Sequence, residues 1–206
     1  MLERVAADAS FEGQELGFDT EGYRARRRAT VESDAIADVV WARVSEHVAP
    51  IAKWFGTRAE APRLDPPVTE WVASSSNPRS RFYRYGLGGT FFLHQDEPWK
   101  PRSGVRSFLT ALVYLRTEKP CVGGETVIDG EVVSVEPGRI VVFPHALPLE
   151  GRAVEGGEKL VIRSDVIGVA LRTRHLPSFE PRAFRSSKLW RTKWSAESDR
   201  LRQSRC

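Results

Sequence analysis

One stretch near the N-terminus has the hydrophobic period of a helix. Ile36, Val40 and Val44 are spaced by four residues, and charged residues take other positions around them. This period predicts an amphipathic helix over residues 33–48, and we expect its apolar face to cover a sheet. Ser33 is suited to cap the helix, because its hydroxyl can accept a hydrogen bond from a backbone N–H of the first turn.

Beyond residue 80 the helical period is lost and short apolar or β-branched runs follow, bounded by Gly, Pro and Asp. They predict strands over residues 81–85, 91–95, 108–115, 125–128, 131–135, 139–143 and 159–169. Asp129-Gly130 between two such runs predicts a tight hairpin turn. Residues 74–78, three serines followed by Asn and Pro, predict a loop. Together these segments favour a mainly β fold with flanking helices, built as an antiparallel sandwich or barrel.

The chain divides by charge into a domain and a basic tail. We expect a single domain over residues 1–171, with a helical N-terminal part to about residue 60 and a β part over about 68–171. The tail over residues 172–206 contains ten basic and three acidic residues, a net charge of +7. The rest of the chain is therefore −3, which gives the total of +4. Aromatic residues are interleaved with these cations. Two alternatives follow for the tail: it packs onto the domain, or it is disordered.

Composition excludes several classes of protein. With 206 residues and 41% hydrophobic residues, the chain can bury a core and is not disordered throughout. No run approaches 18 consecutive apolar residues, so we expect no membrane span. The N-terminus lacks the pattern of a secretory signal, and the two cysteines form no disulfide framework. These features favour a cytoplasmic protein with free thiols.

His94 and Asp96 are the candidate metal ligands. They are two residues apart in a predicted strand, so both side chains are expected on one face. A His-x-Asp pair alone is common, but here it ends a longer pattern that also contains Tyr85, Gly88 and Phe91. This run resembles the Y-x-x-G-x-x-F-x-x-H-x-D signature of the iron(II)- and 2-oxoglutarate-dependent dioxygenases, specifically the prolyl 4-hydroxylase-like group.

The resemblance continues along the chain to about residue 169. Residues 107–115 resemble the family's S-x-L-T-x-x-x-Y-L-N strand, and residues 123–126 match its G-G-E-T turn. Residues 137–143 resemble the strand that leads to the distal histidine, and residues 157–166 resemble its G-x-K-Y-x-L-R-x-D-V ending. As a set, these motifs are specific.

The resemblance implies a double-stranded β-helix, or jelly roll, whose mouth holds one iron. In the family, two histidines and one carboxylate bind Fe(II), and 2-oxoglutarate and dioxygen take the remaining positions. The implied activity is that of a dioxygenase, which hydroxylates a substrate while 2-oxoglutarate is decarboxylated to succinate. The substrate class implied is a small molecule or a peptide, and no nucleic-acid motif is present.

The third metal ligand leaves two alternatives. The family's segment reads F-x-H-x-L-L-H-E-G, and its second histidine binds the metal ten residues before the cation that holds 2-oxoglutarate. Here Leu149 lies ten residues before Lys159, and His145 is the one histidine nearby. In the first alternative the loop is shifted, so that His145 completes the site with His94 and Asp96. In the second, Leu149 replaces the distal histidine, and the chain is a catalytically degenerate jelly roll with a binding role.

Two cations are candidates for the far carboxylate of 2-oxoglutarate. Lys159 matches the family's position, and Arg163 is four residues further along, on the same face of a strand. An arginine would bind the carboxylate through two N–H groups and a lysine as a point charge. Tyr85 and Tyr114 match family positions whose hydroxyls line this pocket, and Thr110 is a further candidate.

The substrate side of the site is expected in the segment after the metal pair. Trp99, Lys100 and Arg102 follow Asp96 directly, where a loop would lie at the mouth of the barrel. A mouth loop is a reasonable place for substrate contacts.

Overall fold

The computed structural model of the protein describes residues 2, 5, 6, 23–55, 70–102, 104–171 and 190–193. In these residues the helix α1 (Asp34–Phe55) accompanies twelve strands, and residues 2, 5 and 6 are also helical. The strands are β1 (Tyr23–Glu32), β2 (Glu70–Ser76), β3 (Arg79–His94), β4 (Val105–Leu115), β5 (Val122–Gly123), β6 (Thr126–Ile128), β7 (Glu131–Val133), β8 (Arg139–Pro144), β9 (Leu149–Gly151), β10 (Val154–Gly156), β11 (Lys159–Leu171) and β12 (Trp190–Lys193).

Ten strands form one curled antiparallel sheet. Its order is β12-β8-β4-β11-β3-β9-β6-β7, with β1 paired to β3 and β2 paired to β11. β5 and β10 form a separate two-stranded sheet. This topology confirms the predicted mainly β, jelly-roll class. The helical residues that the structure describes form no apolar segment of the length needed to span a bilayer.

α1 covers one face of the sheet, as its sequence period predicts. Ile36, Val40, Val44 and Val48 are all buried and belong to one hydrophobic cluster with residues of β3, β4 and β11. The hydroxyl of Ser33 accepts a hydrogen bond from the backbone N–H of Ile36, which confirms the predicted cap.

The predicted hairpin is present. β6 and β7 pair in register, and the two residues between them have the positive φ angles that such a turn requires, 49° at Asp129 and 82° at Gly130. The predicted strands otherwise recur with changed limits. The two segments predicted over residues 81–85 and 91–95 are a single long strand, β3.

Two segments differ from the sequence-based expectation. The loop predicted at residues 74–78 is wrong for its first three residues, because β2 runs to Ser76 and pairs with β11. Residues 23–32, inside the part expected to be helical, form β1 and pair with β3. Both strands are specified by a long-range partner rather than by their own propensity. Of the tail, residues 190–193 pair with β8, and the remainder lies outside the described residues.

Candidate functional site

A pocket opens on the concave face of the sheet, between β3, β9 and β11. The space between its walls is about 400 Å³, including the part open to solvent. Strand pairing places Lys159 opposite Tyr85, and Val161 between Tyr83 and Tyr114. The pocket is lined by Tyr83, Tyr85, Phe91, Asp96, Leu112, Thr126, Leu149, Glu150, Gly151, Lys159, Val161 and Arg163.

Lys159 carries a buried positive charge in this pocket. The residue is only 4% exposed. Its ammonium donates hydrogen bonds to the carbonyl of Gly124 at 2.7 Å and to the hydroxyl of Thr126 at 3.1 Å, and it lies 5.3 Å from the ring centroid of Tyr85. Among the described residues, no carboxylate is within ion-pair distance of it. A lysine ammonium has three donors, so one N–H remains for a ligand.

Burial lowers the pKa of Lys159 from its ordinary 10.5 to about 8. Desolvation disfavours the charged ammonium, while negative charge on Cys121 or Glu125 would act in the opposite direction. An anion placed beside the ammonium would remove part of this cost.

Thr126 is a site residue that the sequence argument did not select. Its oxygen accepts hydrogen bonds from the hydroxyl of Tyr114 at 2.8 Å and from Lys159, so its own hydroxyl proton is available to a ligand. The available signal was the Gly-Gly-Glu-Thr turn, whose threonine begins β6.

The two glycines of that turn fix the carbonyl that Lys159 contacts. Gly123 and Gly124 have φ angles of 68° and 69°, a region that side chains disfavour. A Cβ on Gly124 would also lie 3.1 Å from the sulfur of Cys121 and 3.5 Å from a side-chain carbon of Lys159. Glycine therefore keeps this wall of the pocket close to the lysine.

Gly151 keeps the space next to the ammonium open. A Cβ added there would meet Phe91 at 3.3 Å and the Nζ atom of Lys159 at 3.7 Å. The cradle around the lysine thus depends on a missing side chain, which is consistent with room for a ligand group.

His94 has the orientation of a metal ligand. Its Nδ1 atom is 2.7 Å from the carbonyl oxygen of Phe92, and because a carbonyl only accepts, Nδ1 carries the proton. Its ring is stacked on Phe91, with 3.8 Å between centroids. The remaining nitrogen, Nε2, lies 3.8 Å from the Oδ1 atom of Asp96. A ligating histidine commonly donates its other N–H to a carbonyl in this way.

Asp96 is buried and held from two sides. Its Oδ2 atom accepts a hydrogen bond from the hydroxyl of Thr110 at 2.6 Å, and its Oδ1 atom is 3.2 Å from the guanidinium of Arg163. Arg163 also contacts Asp165 at 3.3 Å. Of the two candidate cations, Arg163 is therefore paired with two carboxylates, whereas Lys159 has none among the described residues. Thr110 contacts Asp96 and not the lysine pocket.

His145 is buried next to Asp96, but Thr110 separates the two. Since Thr110 donates to the Asp96 carboxylate, it accepts the proton of His145 Nδ1 at 2.9 Å. The neutral ring then uses Nε2 to accept from the hydroxyl of Ser107 at 2.8 Å, and that hydroxyl in turn accepts from the backbone N–H of Trp99. Burial lowers the pKa of His145 to about 4, which keeps the ring neutral. Both ring nitrogens are thus occupied.

Leu149 occupies the place facing His94. The two residues are partners in the pairing of β3 with β9, just past a register shift between Phe91 and His94. Leu149 is 5% exposed and lines the pocket together with Asp96. In the described part of the chain, no three His, Cys, Asp or Glu side chains are grouped to hold a metal ion. The residues present therefore fit the far carboxylate of 2-oxoglutarate, but they do not fit a three-ligand iron centre.

The predicted substrate-side residues lie apart from the pocket lining. Lys100 and Arg102 are exposed and Trp99 is half-buried. The Trp99 backbone is tied to Ser107, whose N–H donates to the Trp99 carbonyl. Their part in substrate contact stays a prediction.

Comparison with known proteins supports the fold. No protein-family model matches the chain, and no curated protein does. A Pseudomonas putida prolyl-4-hydroxylase is 19% identical, with a TM-score of 0.50 over 80% of this chain and 81% of that one. This similarity shows that the chain has the fold of that prolyl-4-hydroxylase.

Two other solved structures are more distant. An oxidoreductase of the 2OG-Fe(II) oxygenase family from Burkholderia pseudomallei is 15% identical, covers 80% of this chain and 74% of its own, and has a TM-score of 0.46. A Trichoplax adhaerens prolyl hydroxylase, solved with a hypoxia inducible factor peptide fragment, is 17% identical over the same shares, with a TM-score of 0.48.

Proposed function

We propose that this protein, which has an oxygenase fold, binds 2-oxoglutarate or a dicarboxylate of similar length in the pocket at Lys159. The observation that carries the proposal is a lysine ammonium, 4% exposed, with no carboxylate partner among the described residues. A buried charge is costly unless it is paired, and a ligand carboxylate would supply the pair.

The neighbours of the lysine are suited to a carboxylate. The third N–H of the Lys159 ammonium and the hydroxyl proton of Thr126 are both available donors. Charge-assisted hydrogen bonds of this kind are the strong ones in proteins. Gly151 leaves room beside the ammonium, so a carboxylate can approach it directly.

Calorimetric titration with 2-oxoglutarate, in the presence of a metal chelator, tests this proposal. We expect saturable binding that Lys159→Met abolishes and that Gly151→Ala weakens by filling the pocket. Lys119→Met, at an exposed lysine outside the pocket lining, is the matched control and should bind as the natural protein does. Equal binding by Lys159→Met and Lys119→Met would refute the proposal.

An Fe(II)- and 2-oxoglutarate-dependent hydroxylase, acting on a small molecule or a peptide, is the second candidate. It is favoured by the Nε2 atom of His94 and the Oδ1 atom of Asp96, which lie 3.8 Å apart. Succinate formation from 2-oxoglutarate under air, measured with and without added Fe(II), tests it. Iron-dependent succinate that is lost in Asp96→Ala would support this candidate. Its absence in a protein that binds 2-oxoglutarate would leave the binding role.

A further inference from the structure

We infer that position 149 is the one missing ligand of an otherwise preserved metal site, so that Leu149→His alone creates a centre that binds a divalent metal ion tightly. In the natural chain the carboxylate of Asp96 is instead paired with Arg163. This inference does not depend on dicarboxylate binding, since its test measures the metal alone.

Two ligands are already held in place. His94 has its proton fixed on Nδ1 by the carbonyl of Phe92, which leaves the Nε2 lone pair directed away from that bond. Asp96 is held at Oδ2 by Thr110, and its Oδ1 atom is 3.8 Å from His94 Nε2. Zinc-type metal–ligand bonds are about 2.0–2.2 Å long, so one ion can contact both atoms at this separation.

Leu149 faces this pair. Direct partners in an antiparallel ladder have Cβ atoms about 4.5–5.5 Å apart. An imidazole introduced at 149 would therefore begin near His94, its partner in the ladder, and in the pocket that Asp96 also lines. Two histidines and one carboxylate on one face of a metal are a known iron-binding set. A leucine side chain has no lone pair to offer.

His145 cannot supply the ligand without losing other contacts. Its Nδ1 atom donates to Thr110 and its Nε2 atom accepts from Ser107, so binding a metal would require breaking at least one buried hydrogen bond. Leaving a buried polar group unpaired costs about 1–3 kcal/mol. Its contacts give His145 a positioning role, because it orients Thr110, which holds Asp96.

Arg163 explains how the buried carboxylate of Asp96 is balanced in a site that has two of the three expected metal ligands. Its guanidinium is 3.2 Å from Asp96 Oδ1 and also contacts Asp165, whose other oxygen accepts a hydrogen bond from Asn77. A buried charge needs a partner of opposite sign, and the guanidinium meets this requirement. The ion pair thus takes over the charge balance that a metal would otherwise provide.

The test is anaerobic titration with Co(II), followed by its visible d–d absorption, with equilibrium dialysis of Fe(II) as a second measurement. We expect Leu149→His to bind Co(II) at least about tenfold more tightly than the natural protein, since even outer-shell partners of a ligand contribute about 10- to 100-fold in metal affinity. Leu147→His, two residues earlier, is the matched control and should show no gain. Adding His94→Ala to Leu149→His should abolish the gain.

Two results would overturn the inference. One is a folded Leu149→His variant, with its circular dichroism unchanged, that gains no Co(II) affinity. The other is tight Co(II) binding by the natural protein that disappears in His145→Ala. If Leu149→His does not fold, Leu149→Cys provides a smaller ligand at the same position, and its Co(II) complex should show a thiolate charge-transfer band that Leu147→Cys lacks.

Discussion

The affinity for 2-oxoglutarate should fall when the pH is raised from 7 to 9. The pKa of Lys159 in the ligand-free protein is about 8. The fraction of Lys159 that is protonated is then about 0.9 at pH 7 and about 0.1 at pH 9. Only the protonated form, the ammonium, attracts a carboxylate. Affinity should therefore fall by about tenfold, which is about 1.4 kcal/mol, and should be level below pH 7.

The direction of this change in affinity with pH follows from the linkage between ligand binding and proton binding. A ligand that binds the protonated lysine raises the pKa of that lysine in the complex, so proton uptake accompanies binding near pH 8. The pKa of Cys121, the nearest thiol acting on Lys159, is raised by burial above its ordinary 9.0, so the thiol stays protonated over most of this range.

Calorimetric titrations at pH 7, 8 and 9 measure the effect, and Lys159→Arg is the control. An arginine stays charged throughout this range, so any affinity that Lys159→Arg retains should be independent of pH. An affinity of the natural protein that is constant from pH 7 to 9, or a fall that Lys159→Arg shares, would refute the assignment of the pocket cation.

Three further predictions concern stability and binding. Lys159→Met should stabilise the ligand-free protein by about 1 kcal/mol at pH 7. The lowered pKa corresponds to about 3 kcal/mol of burial cost, and the two lost hydrogen bonds offset about 1 kcal/mol each. The melting temperature should therefore rise by about 2–4 °C, and a fall would contradict this account. Thr126→Val should weaken 2-oxoglutarate binding, by about 0.5–1.5 kcal/mol for the lost hydrogen bond, in the same titration that leaves Lys119→Met unchanged. Gly157→Ala should destabilise the fold by more than about 2 kcal/mol in urea unfolding, since its φ is 66° and a Cβ would clash with the carbonyl oxygen of Pro120; a loss below about 0.5 kcal/mol would show that the turn relaxes.

Sequence reasoning succeeded where a local pattern determines structure. The stripe of Ile36, Val40 and Val44 defines a helix face, and Asp129-Gly130 defines a turn, without reference to distant residues. β2 was missed because its serines have no strand propensity, and only pairing with β11 makes them a strand.

The candidate site divides in the same way. Spacing and the family resemblance marked His94, Asp96 and Lys159 as candidates, and the structure places Asp96 and Lys159 in the lining of one pocket. Spacing could not show which partners the nitrogens of His145 have, because Thr110 and Ser107 are about 35 residues away along the chain and meet it only through the pairing of β4 with β8. The place of Leu149 opposite His94 likewise depends on the register of β9.

The pairing of β12 with β8 has a consequence for solubility. Without residues 190–193, one side of β8 would present unpaired backbone N–H and C=O groups, which are a template for adding a strand from another molecule. In the described part of the chain the sheet ends at β12 instead, and the sequence of β12, Trp-Arg-Thr-Lys, carries two cations. Charge along an outer strand disfavours aggregation. The two cations in the sequence of β12 therefore oppose the addition of a further strand at this edge of the sheet that carries the pocket.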